Sequence, residues 1–247
     1  MEISLYSFIK NYKQVFLASI SKVFGRGKYY RKRLFDLKRI LEKNYPQKSD
    51  FNFIQVGAND GVSFDFLYHF VIKRNCSGVV IEPIAEYFEE LLENYKDYEN
   101  IIKVRTAVHN HLKSVQIYKI DNETFHLYPK WVKGIASFQK SNLTKFEIIK
   151  PEHIIKETVL AAPLMKIIDL DMFQKVDYFQ VDTEGYDFEI INMIDFTKIN
   201  PKIIKAEYVN LNEEDKISME KFLKLQGYFV FKQGLDLVGI KLNKVIL

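Results

Sequence analysis

The stretch FIQVGANDG, Phe53 to Gly61, constrains the fold of this 247-residue chain more than any other. A short apolar run enters a turn bracketed by two glycines, and GVVIEP, Gly78 to Pro83, then supplies a second run ending on an acid. In an α/β sheet that layout puts a ligand at the carboxyl edge of the strands, with the acid on ribose hydroxyls. A dinucleotide fingerprint needs a glycine where Asn59 stands, and the Asp60 carboxylate would repel a pyrophosphate. A ligand with a positive centre and no phosphate suits the turn better, and S-adenosylmethionine is such a ligand. Glu82 would take its ribose diol, Gly57 would permit close approach, and Asn59 and Asp60 would meet the amino-acid end. On spacing alone a second reading stands level: Gly57 and Gly61 merely build a tight turn, and Glu82 caps the next helix.

From Phe51 onward, short apolar runs alternate with helical patterns, the mark of an α/β sheet. Strands are expected at Asn52–Val56, Gly78–Glu82, Ile101–Arg105, Val115–Ile120, Tyr178–Asp182, Lys202–Tyr208, Tyr228–Lys232 and Leu235–Lys241. Helices are expected at Phe64–Arg74, Ala85–Tyr95, Phe188–Met193 and Asp215–Gln226. Residues 121–169 have weak periodicity and the single tryptophan, Trp131, and read as an insertion facing the substrate. Ahead of the domain at 50–247, residues 1–49 read as a helical hairpin. An apolar stripe runs from Leu5 to Phe24, and a basic second helix carries Tyr30, Leu34, Leu37 and Leu41. Such a hairpin packs on the main domain, joins a second subunit in a homodimer, or rests on anionic lipid.

The net charge of +4 falls short of a nucleic-acid-binding signature. Cys76 is the only cysteine, which excludes an intramolecular disulfide and a cysteine-rich zinc site. No apolar run approaches a membrane span, so a cytoplasmic protein is expected.

A second block, YFQVDTEGYDFEIINMIDF from Tyr178 to Phe196, joins these, with GIASF at Gly134–Phe138 and KIIKAEY at Lys202–Tyr208. Together and in this order, over roughly Phe51 to Phe231, they resemble the FkbM family of S-adenosylmethionine-dependent methyltransferases. The resemblance implies a class I methyltransferase fold, a Rossmann-like and mostly parallel seven-stranded sheet whose last strand is antiparallel. It also implies O-methylation of a sugar or natural product. The nearest likeness is to members from bacterial surface polysaccharide loci, which suggests a nucleotide-linked sugar such as a capsule heptose. By the same resemblance Gly57, Ala58, Asn59, Asp60 and Gly61 form the cofactor turn, and Glu82 with Pro83 the ribose edge. Ala107 and Val108 fall at the adenine edge, and Asp182, Glu184 and Gly185 on the turn after the fourth strand. Gln55 stands where many methyltransferases of this fold carry an acid, and it joins the cofactor side.

A sugar hydroxyl is a poor nucleophile at neutral pH, so a base should accelerate its methylation. Asp182 is the first candidate for base or cofactor contact and Glu184 the second; Glu207 and His109 are also candidates. Asp187 reads instead as a helix cap. Asp182, Glu207 and a histidine offer a set that would suit Mg2+. Trp131 and Phe138 could stack on the acceptor, Lys133 could meet a diphosphate, and Ser137, Tyr186 and His153 complete the acceptor side. The competing reading is a nucleic-acid-binding or RNA-methylating protein that uses the basic hairpin. It lacks the [DN]-P-P-[YF] turn of many base amino-group methylators, because the chain has no Pro-Pro pair.

Overall fold

A computed structural model describes residues 3–46, 50–168 and 175–247. The expected domain boundary at 49/50 and the expected end of the insertion at Asp169 touch residues outside that range. Three helices come first, α1 (Leu5–Val23), α2 (Lys28–Leu34) and α3 (Leu37–Asn44). The sequence suggested one continuous second helix, but the chain breaks at Phe35 and restarts at Asp36. The Asp36 Oδ1 accepts from the Arg39 amide at 2.8 Å and caps α3.

Then follow β1 (Asn52–Val56), α4 (Leu67–Arg74), β2 (Ser77–Ile81), α5 (Ala85–Asn94) and β3 (Ile101–Val104). A lateral section comes next: β4 (Ala107–Val108), β5 (Ser114–Ile120), α6 (Ser141–Thr144), β6 (Ile154–Ala162) and α7 (Leu164–Ile167). The chain then returns through β7 (Tyr178–Val181), α8 (Asp187–Asn192), β8 (Ile203–Glu207), α9 (Glu213–Leu225), β9 (Phe229–Gln233) and β10 (Asp236–Ile240).

The main sheet runs β3-β2-β1-β7-β8-β10-β9, with β10 antiparallel to both its neighbours. The connection from β3 crosses to β7 on the far side of β1, so the strand order reverses between β1 and β7. Crevices at such reversals bind ligands in open α/β sheets. The central strands are buried on both faces, as parallel strands covered by helices should be. One face packs Phe53, Tyr178 and Ile203 against α3, α4 and α5. The other packs Ile54, Val56, Phe179 and Ile204 against α7, α8 and α9.

Two expectations need correction. Val115–Ile120 is a strand but lies outside the main sheet, in a separate three-stranded sheet of order β4-β6-β5. The insertion is also not structureless, because β6 pairs antiparallel with β5 from Ser114↔Leu160 to Ile120↔Ile154. Three short 3-10 turns and α6, around buried Ile120, Val132, Ile135, Leu143 and Ile149, and α7 beyond β6 make up the rest of its described elements.

Candidate active site

A cavity of about 700 Å³ opens at the carboxyl ends of β1, β2, β7 and β8. That is the size of a small-molecule site. The turn after β1, Glu82 to Ile84 and Thr106 to Val108 form one wall; Trp131, Gly134 to Ala136, Phe138 and Phe146 from the insertion form another. Between them lies a polar floor of Gln55, Asp65, Gln180, Asp182, Lys205, Glu207 and Asp236.

The turn is set by its neighbours. Gly57 has φ of 75°, and a Cβ there would lie 1.8 Å from the Asp182 carbonyl oxygen. Only glycine allows β1 and the turn after β7 to pass so closely, a stronger reason for it than approach by a ligand. Asn59, at φ 51°, donates its amide to Glu82 Oε2 at 2.9 Å, while the Ile84 amide donates to Oε1 at 2.9 Å. Burial pushes Glu82 up to about 7, and these two amides partly counter it. A carboxylate has about four lone-pair sites, so both oxygens can still accept from a diol. Glu82 thus braces the turn backbone and lines the cavity, but it does not cap α5, whose N-cap is Ile84 with no side-chain cap bond.

Asp60 and Gly61 do not line the cavity. Asp60 turns into its own loop and accepts from the amides of Val62 (2.9 Å) and Ser63 (2.7 Å) and from Ser63 Oγ (2.6 Å). Burial raises its pKa, but these bonds and Lys133 prevail and hold it below the ordinary value. Gly61, at φ 80°, leaves room for the Tyr95 ring, which a Cβ would meet at 2.5 Å.

Opposite, Asp182, Glu184 and Glu207 bring carboxylate oxygens within 4.8 Å of one another. Glu184 sits at φ 54°, an uncommon conformation for a non-glycine residue. Its carbonyl is held there by Ser137 Oγ (2.6 Å) and Asn142 Nδ2 (2.6 Å) from the insertion. Asn210 Nδ2 bridges Glu184 Oε2 and Glu207 Oε1, the latter at 2.7 Å. Glu207 Oε2 is buried with no partner. Burial followed by mutual repulsion raises Glu184 to about 8 and Glu207 to about 10. Asp182 rises only to about 6, because the Lys205 ammonium offsets part of the burial. Asp187 at the start of α8 accepts from Thr183 Oγ1 (3.1 Å) and the Thr183 and Gly185 amides. It braces the turn before the helix and does not cap α8 as expected, because Tyr186 is the N-cap, with no side-chain cap bond.

Several expected residues stand elsewhere. The His109 ring stacks on Tyr186 at 5.3 Å, and its Nδ1 accepts from the Leu112 amide at 3.2 Å; neither ring lines the cavity. His153 Nδ1 bonds Tyr128 Oη at 2.7 Å inside the insertion. Lys133 pairs with Glu90 and, at 3.5 Å, with Asp60. Ser137 serves the Glu184 turn rather than the cavity. Gln55, Gly57, Ala58, Asn59, Glu82, Pro83, Ala107, Val108, Trp131, Phe138, Asp182, Glu184 and Glu207 do line it.

Sequence reasoning named Gln55 but missed Asp65, Gln180, Lys205 and Asp236 on the same floor. Gln55, Gln180 and Lys205 pair in register across β1, β7 and β8 and form a polar row under the cavity. Gln180 Nε2 donates to Asp65 Oδ2, and Lys205 Nζ lies 3.4 Å from Asp236 Oδ2. Burial lowers the Lys205 pKa, but Asp65, Asp236 and Asp182 outweigh it and hold the group raised and charged. The signal was in the text: FIQV and YFQV each carry a glutamine at the same place in an otherwise apolar central strand.

Similar solved structures share little sequence. An FkbM methyltransferase from Methylobacillus flagellatus KT is 12% identical, with a TM-score of 0.47, over 77% of this chain and 43% of that one. The N-terminal domain of human METTL16 in complex with SAH is 13% identical, with a TM-score of 0.43, over 83% and 66%. A precorrin-6y C5,15-methyltransferase from Geobacter metallireducens GS-15 is 12% identical, with a TM-score of 0.41, over 83% and 85%. The chain thus spans less than half the length of the FkbM structure. No curated protein matches it. The family model of the methyltransferase FkbM domain matches residues 55–230, from the polar row of β1 to the start of β9, and so the chain belongs to the FkbM methyltransferase family.

Proposed function

We propose that this methyltransferase transfers a methyl group from S-adenosylmethionine to a hydroxyl of a sugar or nucleotide-linked sugar, such as a heptose, in bacterial capsule or other surface polysaccharide biosynthesis. It would do so in the cytoplasm, with no nucleic acid as partner. The observation that carries the reading is the group of cavity carboxylates whose proton affinities lie near neutrality, Asp182 at about 6 and Glu184 at about 8. A base is most effective when its pKa lies close to the working pH.

The residues present fit the cofactor. Glu82 keeps acceptor capacity for ribose hydroxyls, and Ala107 and Val108 offer an apolar edge to an adenine. The buried Oε1 of Gln55 lacks a donor, and an ammonium would supply one. When bound, the cofactor supplies an electrophilic methyl carbon and a positive charge. The chain's own work is alignment and proton removal: Trp131, Phe138 and Phe146 hold an acceptor against the floor, and Asp182 takes the hydroxyl proton. Glu184 and Glu207 retain protons at neutral pH and keep Asp182 the most readily ionised of the three.

A second reading, that the cluster holds a divalent cation such as Mg2+, is favoured by the partnerless Oε2 of Glu207. Three carboxylates sharing one centre suit an oxygen-seeking ion. Assay after chelation, with and without added Mg2+, separates the two: full activity in chelator leaves Asp182 as base and excludes the cation.

The test of the main reading is incubation with labelled S-adenosylmethionine and a panel of nucleotide sugars. Label on a sugar hydroxyl is expected. Cofactor binding without transfer to any sugar would overturn the acceptor class, and absence of cofactor binding would overturn the whole proposal.

A further inference from the structure

Helix α1 is mounted with its polar seam inward. Asn11 is 1% exposed; its Nδ2 donates to the Leu242 (2.9 Å) and Val245 (2.6 Å) carbonyls, and its Oδ1 accepts from the Leu247 amide at 3.1 Å. Ala18 is buried beside it, and Ser7, Gln14 and Ser21 are half-buried along the same side. The opposite side carries Leu5, Ile9, Tyr12, Phe16, Ile20 and Val23, all exposed, with Phe16 at 64% and Val23 at 83%. At 3.6 residues per turn these six share one face. The hairpin meets the main domain through this polar seam, and the apolar stripe faces outward. Contiguous apolar surface of this kind marks an interaction site.

Charge decides what covers it. Residues 3–35 contain eight Lys and Arg and no Asp or Glu. Lys10 and Lys13 flank the apolar face on one side and Lys22 on the other, and Arg26, Lys28, Lys32 and Arg33 continue the basic surface past the end of α1. A second copy packed face to face would set these cations against their own kind. An anionic bilayer complements them, and it accepts the aromatic and aliphatic side chains at the boundary between headgroups and acyl chains. No described helix is long and apolar enough to cross a membrane, so α1 would lie in the interface plane.

We infer that α1 docks the protein peripherally on an anionic lipid surface through the Leu5–Val23 apolar face. Asn11 reaches residues 242–247, which follow the end of β10, where Ile240 pairs with Ile203 at the start of β8. That is the edge of the sheet opposite the cavity, so docking leaves the cavity open to solutes. The inference is independent of the acceptor proposed above.

The full chain is floated with phosphatidylcholine vesicles with or without phosphatidylglycerol. Binding to the anionic vesicles at least about tenfold above the neutral ones is expected, falling as salt screens the lysines. Phe16→Glu, at an exposed position, should lower that binding by at least about tenfold while the circular dichroism and thermal midpoint stay unchanged. The double variant Lys13→Glu, Lys22→Glu should abolish the preference for anionic lipid. Three results would overturn the inference: no binding to either vesicle, equal binding to both, or a concentration-dependent dimer that Phe16→Glu dissociates. The last would assign the face to a second copy.

Discussion

Glu82 and Glu207 are both buried acids at strand ends, facing one cavity from opposite sides of the β1–β7 crevice. Glu82 receives one backbone amide on each oxygen, and its pKa reaches about 7. Glu207 has one side-chain amide on one oxygen and none on the other, faces two more carboxylates, and reaches about 10. In the β1–β2 half the acid is satisfied by the turn it organises, although the buried Oε1 of Gln55 still lacks a donor. The β7–β8 half is held in an unsatisfied state by the insertion, which grips the Glu184 carbonyl through Ser137 and Asn142. Under the proposed function, backbone donors would fix a binding wall, whereas the crowded carboxylates would hold and accept protons.

Removing the reactive group from the second half should have the largest effect. Asp182→Asn is expected to lower kcat by about two to four powers of ten, the usual contribution of a positioned base, with the KM for the cofactor little changed. A matched loss of cofactor affinity would move Asp182 to the binding half. On the first half, Glu82→Gln should weaken cofactor binding by roughly ten- to a hundredfold, consistent with the loss of a charge-assisted hydrogen bond. Titration calorimetry checks it, and kcat at saturation should stay within about threefold if Glu82 only binds.

The two halves were also unequally legible. The β1 turn and Glu82 could be read because a glycine pair and a strand-end acid leave a local pattern, and the main sheet because its central strands are continuous apolar runs. In the insertion, β6 escaped notice: Val159 and Ala161 point inward, but the intervening Leu160 is apolar and 73% exposed, so the alternation is masked. His109, His153 and Lys133 looked chemical by residue type, and their partners Tyr186, Tyr128 and Glu90 come from distant segments that no local pattern joins. For α1 the periodicity correctly grouped the side chains into faces. Which face docks depended on one buried asparagine meeting residues more than two hundred positions away.

The smallest effect expected concerns stability. Glu207, Glu184 and Asp182 have folded-state pKa values raised above their unfolded ones, so their stabilising contribution is present below about pH 4 and is lost as pH rises through about 6 to 10. Each proton held only by the fold costs up to about 1.4 kcal/mol per pH unit. In chelator and without cofactor, the thermal midpoint should therefore fall between pH 5 and pH 9. Glu207→Gln keeps an acceptor for Asn210 and turns the partnerless oxygen into a donor toward Asp182, so it should flatten that fall. At alkaline pH the variant should be more stable by about 1–2 kcal/mol, which for a chain of this length is roughly 2–8 °C. At pH 5, where Glu207 is protonated in the fold, the difference should shrink toward zero. Added Mg2+ that stabilises the native protein more than the variant would assign the crowded half to a cation; equal curves in Mg2+ and chelator would leave it to protons alone.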